Sequence, residues 1–178
     1  MKFGKLDFVD TETAPELLAE PTLEATRKNN LQTKVFVSEI DSSLADTAAF
    51  CETYDIGLDV SANCVVLEAK RADKTWYLAC IVLATTRADV NGIVRREADA
   101  RKISFAPMDT ATMLTQMEYG GITPLGLPDD WQILVDSEVV KHDKVIIGSG
   151  IRGSKLLVES SIFASLPNTS IKDIVKAS

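Results

Sequence analysis

Apolar and polar positions repeat with a changing period along the chain, and each change marks an element. From Lys34 onward, Val35, Phe36 and Val37 have the character of a short strand, and Asp41 or Ser42 stands where a helix over about Ser43 to Tyr54 needs an acceptor for its first free amides. Gly57 closes that helical region. Cys64 to Lys70 and Thr75 to Leu83 are two runs of strand-forming residues separated by the polar Arg71-Ala72-Asp73-Lys74, a pattern that predicts a hairpin in the middle of a sheet.

Asp89 is placed to cap a short helix through Ala98, and Lys102 to Phe105 follows as a strand. Asp109 is the expected cap of a helix over Thr110 to Glu118, stopped by Tyr119 and the pair Gly120-Gly121. Gln132 to Val135, Lys144 to Ile147 and Leu156 to Val158 read as later strands, with a closing helix near Ser160 to Leu166. In residues 1–33, Pro15 and Pro21 interrupt a short helical pattern (Glu16, Leu17, Leu18, Leu23), so this part reads as an extension packed on a main domain at 34–178. Strands and short helices mix without a βαβ repeat, which predicts a single α+β domain with a mixed, curved sheet and short flanking helices.

Composition narrows the functional classes. A chain of 178 residues buries roughly 70% of its unfolded surface, enough for one core. With 46% hydrophobic and 25% charged residues it has the balance of a globular protein. No stretch approaches the ~20 apolar residues of a membrane span, and Met1 to Asp10 carries acids where a secretory signal needs a basic start, so a cytoplasmic protein is expected. The net charge of −7 argues against a broad, sequence-independent grip on nucleic acid. A local patch remains open at Arg87, Arg95, Arg96, Arg101 and Lys102, which reads either as a docking site for an anionic partner or as a solvated helix face. Cys51, Cys64 and Cys80 lack C-x-x-C spacing and are flanked by apolar residues, the pattern of buried reduced thiols, and no metal-ligand spacing or cofactor motif occurs. His142, the only histidine, sits in the polar Lys141-His142-Asp143-Lys144, which excludes a Ser-His-Asp arrangement.

Two segments are candidates for chemistry. Gly120-Gly121-Ile122-Thr123-Pro124-Leu125-Gly126-Leu127-Pro128 sets a turn-rich path that either brings backbone amides to a ligand or simply joins a helix to a strand. Gly148-Ser149-Gly150-Ile151-Arg152-Gly153-Ser154-Lys155 follows a strand and reads either as an anion-contacting loop or as a hairpin turn with exposed cations. It lacks the spacing of a nucleotide-binding P-loop. Between them Asp136 ends an apolar strand, where a carboxylate needs a partner or a turn to cap.

The ordered set of strand hairpin, Ser104-Phe105-Ala106-Pro107, Gly120 to Gly126, Leu134-Val135-Asp136 and Gly148 to Lys155 resembles the YbaK/prolyl-tRNA-synthetase-associated editing-domain family, over roughly Val35 to Leu166. The resemblance implies a hydrolase for the ester of mischarged tRNA, with the tRNA acceptor end as partner and an aminoacyl-tRNA synthetase as a second candidate. Neither a membrane, DNA nor a cofactor is implied. Carried over by position, it places Gly120, Ile122, Thr123, Pro124, Gly126, Asp136, Gly148, Gly150, Arg152 and Gly153 around the substrate. Asn63 and Gly121 then face the ester carbonyl, and Arg95, Arg96, Arg101 and Lys102 dock the acceptor stem. Family members usually carry a lysine where Asn63 stands. The amide donates a hydrogen bond but no charge, which raises the alternative of a catalytically silent module that binds an aminoacyl or nucleotide ligand.

Overall fold

The computed structural model describes residues 1–176. Its centre is the expected hairpin, longer at both ends than its apolar run: β5 (Ala62–Arg71) and β6 (Lys74–Leu83) pair from Ala62↔Leu83 to Arg71↔Lys74. Ala72 takes a left-handed φ of 55° in the two-residue turn. Three further strands complete a five-stranded mixed sheet. β7 (Lys102–Phe105) lies antiparallel to β5, while β8 (Gln132–Asp136) runs parallel to β6 and β11 (Thr169–Lys172) parallel to β8.

The single sheet expected from the strand pattern is in fact divided. A four-stranded antiparallel sheet is built from β3 (Val9–Asp10), β4 (Val35–Glu39), β10 (Ser154–Glu159) and β9 (Lys144–Gly148), in that order. A small ribbon of β1 (Lys2–Phe3) and β2 (Leu6–Asp7) precedes it. Val35, Val37, Ile147, Leu156 and Val158 of this sheet share a core with Ala79, Ile81, Ile133 and Val135 of the other. An isolated parallel bridge, Ser61↔Ile146, ties the two sheets together.

Each sheet is also covered on its outer face, which explains why the strands read as nearly continuous apolar runs. Helix α2 (Thr47–Tyr54) lays Phe50 and Cys51 over Ile146 and Leu157. Val94 and Ala98, in and just after a π-turn at Val90–Val94 and the short α3 (Arg95–Glu97), cover Leu67, Leu78, Cys80 and Leu134. Among the described residues no helix is long and apolar enough to cross a membrane.

Several boundaries differ from the sequence expectation, each for a local reason. Asp41 caps a 3-10 turn at Ser42–Leu44, and Asp46 caps α2, which starts later than expected and ends where Asp55 turns left-handed at φ 56°. Pro107, instead of Asp109, occupies the cap position of α4 (Met108–Thr115), which stops at left-handed Gln116. The closing helix is a 3-10 turn at Ser160–Ala164. Pro15 and Pro21 open helical turns instead of interrupting them, Pro21 in the first turn of α1 (Glu20–Lys28), where a missing N–H costs no helical bond.

Residues 1–33 share the core through Phe8, Leu18 and Leu31, and Ala19 N–H donates to the Ser149 carbonyl at 3.1 Å. Asp136 is 1% exposed, and its Oδ1 accepts from Ile174 N–H at 3.0 Å while Oδ2 accepts from Glu138 N–H at 3.4 Å. It therefore pins the segment after β11 to the end of β8. Asp136→Ala strands those amides and is expected to cost about 1–3 kcal/mol in urea unfolding without altering ligand affinity.

Candidate functional site

β7 pairs with β5 only from Leu67↔Phe105 to Lys70↔Lys102, and the last bond on that side runs from Ala106 N–H to the Val66 carbonyl at 3.0 Å. Beyond it, among the described residues no strand pairs with the β5 edge over Ala62–Val66, and this edge becomes the wall of a cleft of about 710 Å³. Its other walls are Ala45–Thr47 before and at the start of α2, Tyr119, Gly120 and Ile122 after α4, and Gly148, Arg152 and Lys155 from the four-stranded sheet and its loop. Ala62, Val66, Ala106, Ala111 and Ile122 give the lining small apolar groups. Asp46, Thr47, Asn63, Arg152 and Lys155 give it polar and charged ones.

Among the polar groups Thr47 Oγ1 donates to Asn63 Oδ1 at 2.7 Å, which orients the amide and leaves its NH2 donors without a protein acceptor among the described residues. Lys155 Nζ donates to the Ala45 carbonyl at 3.3 Å and lies 5.2 Å from the centre of the Phe50 ring. Burial pushes this ammonium below the ordinary lysine value, with Arg152 reinforcing the fall and Cys51 and Asp46 opposing it. Asp46 is the one carboxylate among the lining residues.

The two glycine loops grip each other. Gly121 N–H donates to the Glu118 carbonyl at 2.9 Å, and Gly150 N–H donates to the Gly121 carbonyl at 2.7 Å. Gly120 has φ 85°, a backbone conformation that favours glycine, and a Cβ there would sit 2.5 Å from Arg152 Nη1 and push the end of that side chain aside. Arg152 is the clasp: its amide donates to Glu118 Oε1 at 2.8 Å, Nη1 to the Tyr119 carbonyl at 3.0 Å and Nη2 to the Ser42 carbonyl at 3.3 Å.

Of the residues expected around the substrate, the fold brings Asn63, Gly120, Ile122, Gly148 and Arg152 to the cleft. The others stand elsewhere. The Gly121 amide, expected to meet the carbonyl, is already committed to Glu118. Thr123 is fully buried with its hydroxyl unpaired, and Pro124 and Gly126 line a shallow depression beside α1, where Gly126 is pressed against the Pro21 backbone. Asp136 serves β11, Gly150 packs against Ala19 and Thr22, and Gly153 gives its carbonyl to Ile40 N–H. Sequence reasoning missed Asp46 and Thr47 as lining residues because no motif spacing joins them; Lys155, read with Arg152 as a cation of the second glycine loop that could meet an anion, does line the cleft.

Cys64, next to Asn63 on β5, lines the cleft as well, because the cleft follows the strand edge and meets consecutive residues. Its thiol packs on the core and is held well above the usual thiol range by burial first and Cys80 second; burial likewise pushes Cys80 up to about 12. Both stay protonated and unreactive at neutral pH.

A second groove of about 540 Å³ lies along the other end of β7 and gathers Lys70, Arg95, Arg101 and Lys102 with Glu68 and Asn91. Arg95 Nε donates to the Asn91 carbonyl at 2.9 Å. Arg96 is exposed and does not line this groove. Phe105, on the same strand as Lys102, lines the first cleft and is 69% exposed. Ser104 lines the second groove and Phe105 the first, so the two adjoin along β7, with Lys102 and Phe105 roughly 10 Å apart at about 3.3 Å per residue.

An α+β domain with two packed sheets and a half-polar cleft at an open strand edge is the class this geometry defines. The family model of the aminoacyl-tRNA editing domain matches residues 41–164, and the chain belongs to that family. Among solved structures, a proposed trans-editing enzyme for prolyl tRNA synthetase is similar at 14% identity, with 89% of this chain and 97% of the other covered and a TM-score of 0.76. A hypothetical protein matches at 15% identity, 88% and 100% coverage and the same TM-score. A proposed signal transduction protein from Marinobacter aquaeolei VT8 matches at 16% identity over 88% of this chain and 30% of its own length, with a TM-score of 0.60. At these identities the likeness is one of fold.

Because burial keeps the Cys64 thiol protonated, iodoacetamide at pH 8 is expected to label it at least ~10-fold more slowly in the folded than in the unfolded protein, read by peptide mass spectrometry. Rapid labelling would place the thiol in solvent.

Proposed function

We propose that this protein is an aminoacyl-tRNA deacylase acting in trans, and that the cleft beside β5 holds the aminoacyl ester. The observation that carries the reading is the position of the cleft: every residue lining it lies in the stretch matched by the editing-domain family. The geometry suits such a ligand. The small apolar groups accommodate a compact amino-acid side chain, the Asp46 carboxylate complements its α-ammonium group, and the Asn63 amide offers donors to the ester carbonyl. The cationic groove at Arg95, Arg101 and Lys102 supports docking of the acceptor-stem phosphates, with the terminal nucleotide passing along β7 toward Phe105.

Water adds to the carbonyl carbon, the bond to the ribose oxygen breaks, and the amino acid leaves as a carboxylate. His142 does not line the cleft, so the proton is routed through the neighbouring ribose hydroxyl of the substrate, or through its amino group when that group is neutral. A second reading is favoured by one observation, the commitment of the Gly121 amide to Glu118: a module of this family that binds an aminoacyl end without turnover.

Release of amino acid from a panel of mischarged tRNAs separates the two. Native activity that falls by about 10–100-fold in Asn63→Ala, the loss of one oriented donor, establishes the hydrolase. Binding without turnover, with activity gained only in Asn63→Lys, selects the silent module. For the docking groove, the double variant Arg101→Glu/Lys102→Glu is expected to weaken tRNA binding and to lower the salt slope by roughly one to two. Unchanged affinity across 50–200 mM salt removes the groove from the interface.

A further inference from the structure

Two cations line the cleft, and they are held differently. Arg152 is half-buried and spans two backbone carbonyls, so its charge closes the loops. Lys155 is 8% exposed, and of the three N–H donors an ammonium carries, one is used, in a 3.3 Å bond to the Ala45 carbonyl. Among the described residues no carboxylate forms an ion pair with it. Its stem arises on β10 opposite Gly148, where a Cβ would meet the Gly121 and Ile122 carbonyl oxygens, and Lys155 and Gly148 both line the cleft. The Phe50 ring backs it from the core side. A buried ammonium with spare donors and no carboxylate in direct contact is costly to keep for folding alone.

We propose that Lys155 is a catalytic residue: its ammonium donates to the carbonyl oxygen of the aminoacyl ester and holds the negative charge that gathers there as water adds. The assignment rests on the aminoacyl-ester reading of this cleft. The water oxygen bonds to the carbonyl carbon, and the carbon–ribose oxygen bond breaks with its electron pair passing to the ribose oxygen. That oxygen takes up one proton, the second goes to solvent, and Lys155 keeps its own throughout. The charge absent at Asn63 is thus delivered to the same cleft from the opposite sheet, and Asn63 and Lys155 flank the carbonyl as a neutral and a charged donor. Burial depresses the lysine pKa, which suits a donor whose cost is repaid only when an oxyanion arrives.

The test uses Lys155→Met, which keeps the length of the stem and removes the charge. Melting temperature, affinity for a panel of non-hydrolysable 3′-amide aminoacyl-adenosines and deacylation rate are measured together. The expected result is a melting temperature at or above that of the unaltered protein, at least tenfold weaker analogue binding and at least a hundredfold slower deacylation. Analogue affinity and turnover within twofold of the unaltered protein overturn the assignment, and so does a lower melting temperature with affinity unchanged, which marks a structural lysine. If the unaltered protein binds the analogues but cleaves no tRNA, the deacylase reading falls and the affinity difference alone decides Lys155: a tenfold loss retains it as the ligand's charged contact, and no loss removes it. If it binds none of them, both readings fall.

Discussion

The ten-residue pairing of β5 with β6 is the constraint on which the rest of the molecule depends. Its two faces bury separate cores, one shared with the four-stranded sheet and one under the π-turn and α3. Neither strand can shift by a single residue without turning every apolar side chain to the wrong core. The same pairing makes the site. β7 reaches only as far as Leu67, so the other half of the β5 edge, held straight by β6, stands open as a rigid wall.

The opposite wall is rigid for another reason. Loops that look mobile by composition are fastened to each other through Gly121, Gly150, Glu118 and Arg152, and the glycines permit this close approach. Their amides satisfy one another instead of facing a ligand. The side chains that do face it come from elsewhere: Asn63 from β5, Thr47 and Asp46 from the start of α2, and Lys155 from β10. A site assembled in this way is well ordered before any substrate enters, the condition under which fixed dipoles and charges stabilise a developing oxyanion without reorganising.

Much of this fold was legible because alternation and caps are local signals. The hairpin, β7, β8, β9 and β10 follow from apolar runs and polar turns, and Asp89 caps the turn it was expected to cap, accepting from Ile93 N–H at 3.2 Å. β11 and the first three strands are too short or too polar to announce themselves, since two to four residues form a strand only when a partner is already in place. The site was legible in half. Gly120, Gly148 and Arg152 lie in compositionally unusual loops, and Lys155 follows the second of them, but sequence could not separate an exposed turn cation from the buried ammonium that the fold makes of it. Asp136 misled for the converse reason, because a buried acid after an apolar strand signals a partner without saying whether that partner is a ligand or the protein's own backbone.

The docking of residues 1–33 onto the two glycine loops has an entropic side. Ala19 bonds to Ser149, Leu17 accepts from the Ser154 hydroxyl, and the Pro21 backbone presses on Gly126, contacts that close chain separations of more than a hundred residues. Contacts of that range carry a loop-entropy cost that must be met before they contribute. The pairing of β4 with β10, from Ser154↔Glu39 to Val158↔Val35, spans the same range, so the four-stranded sheet and the cleft wall close over the same long stretch of chain.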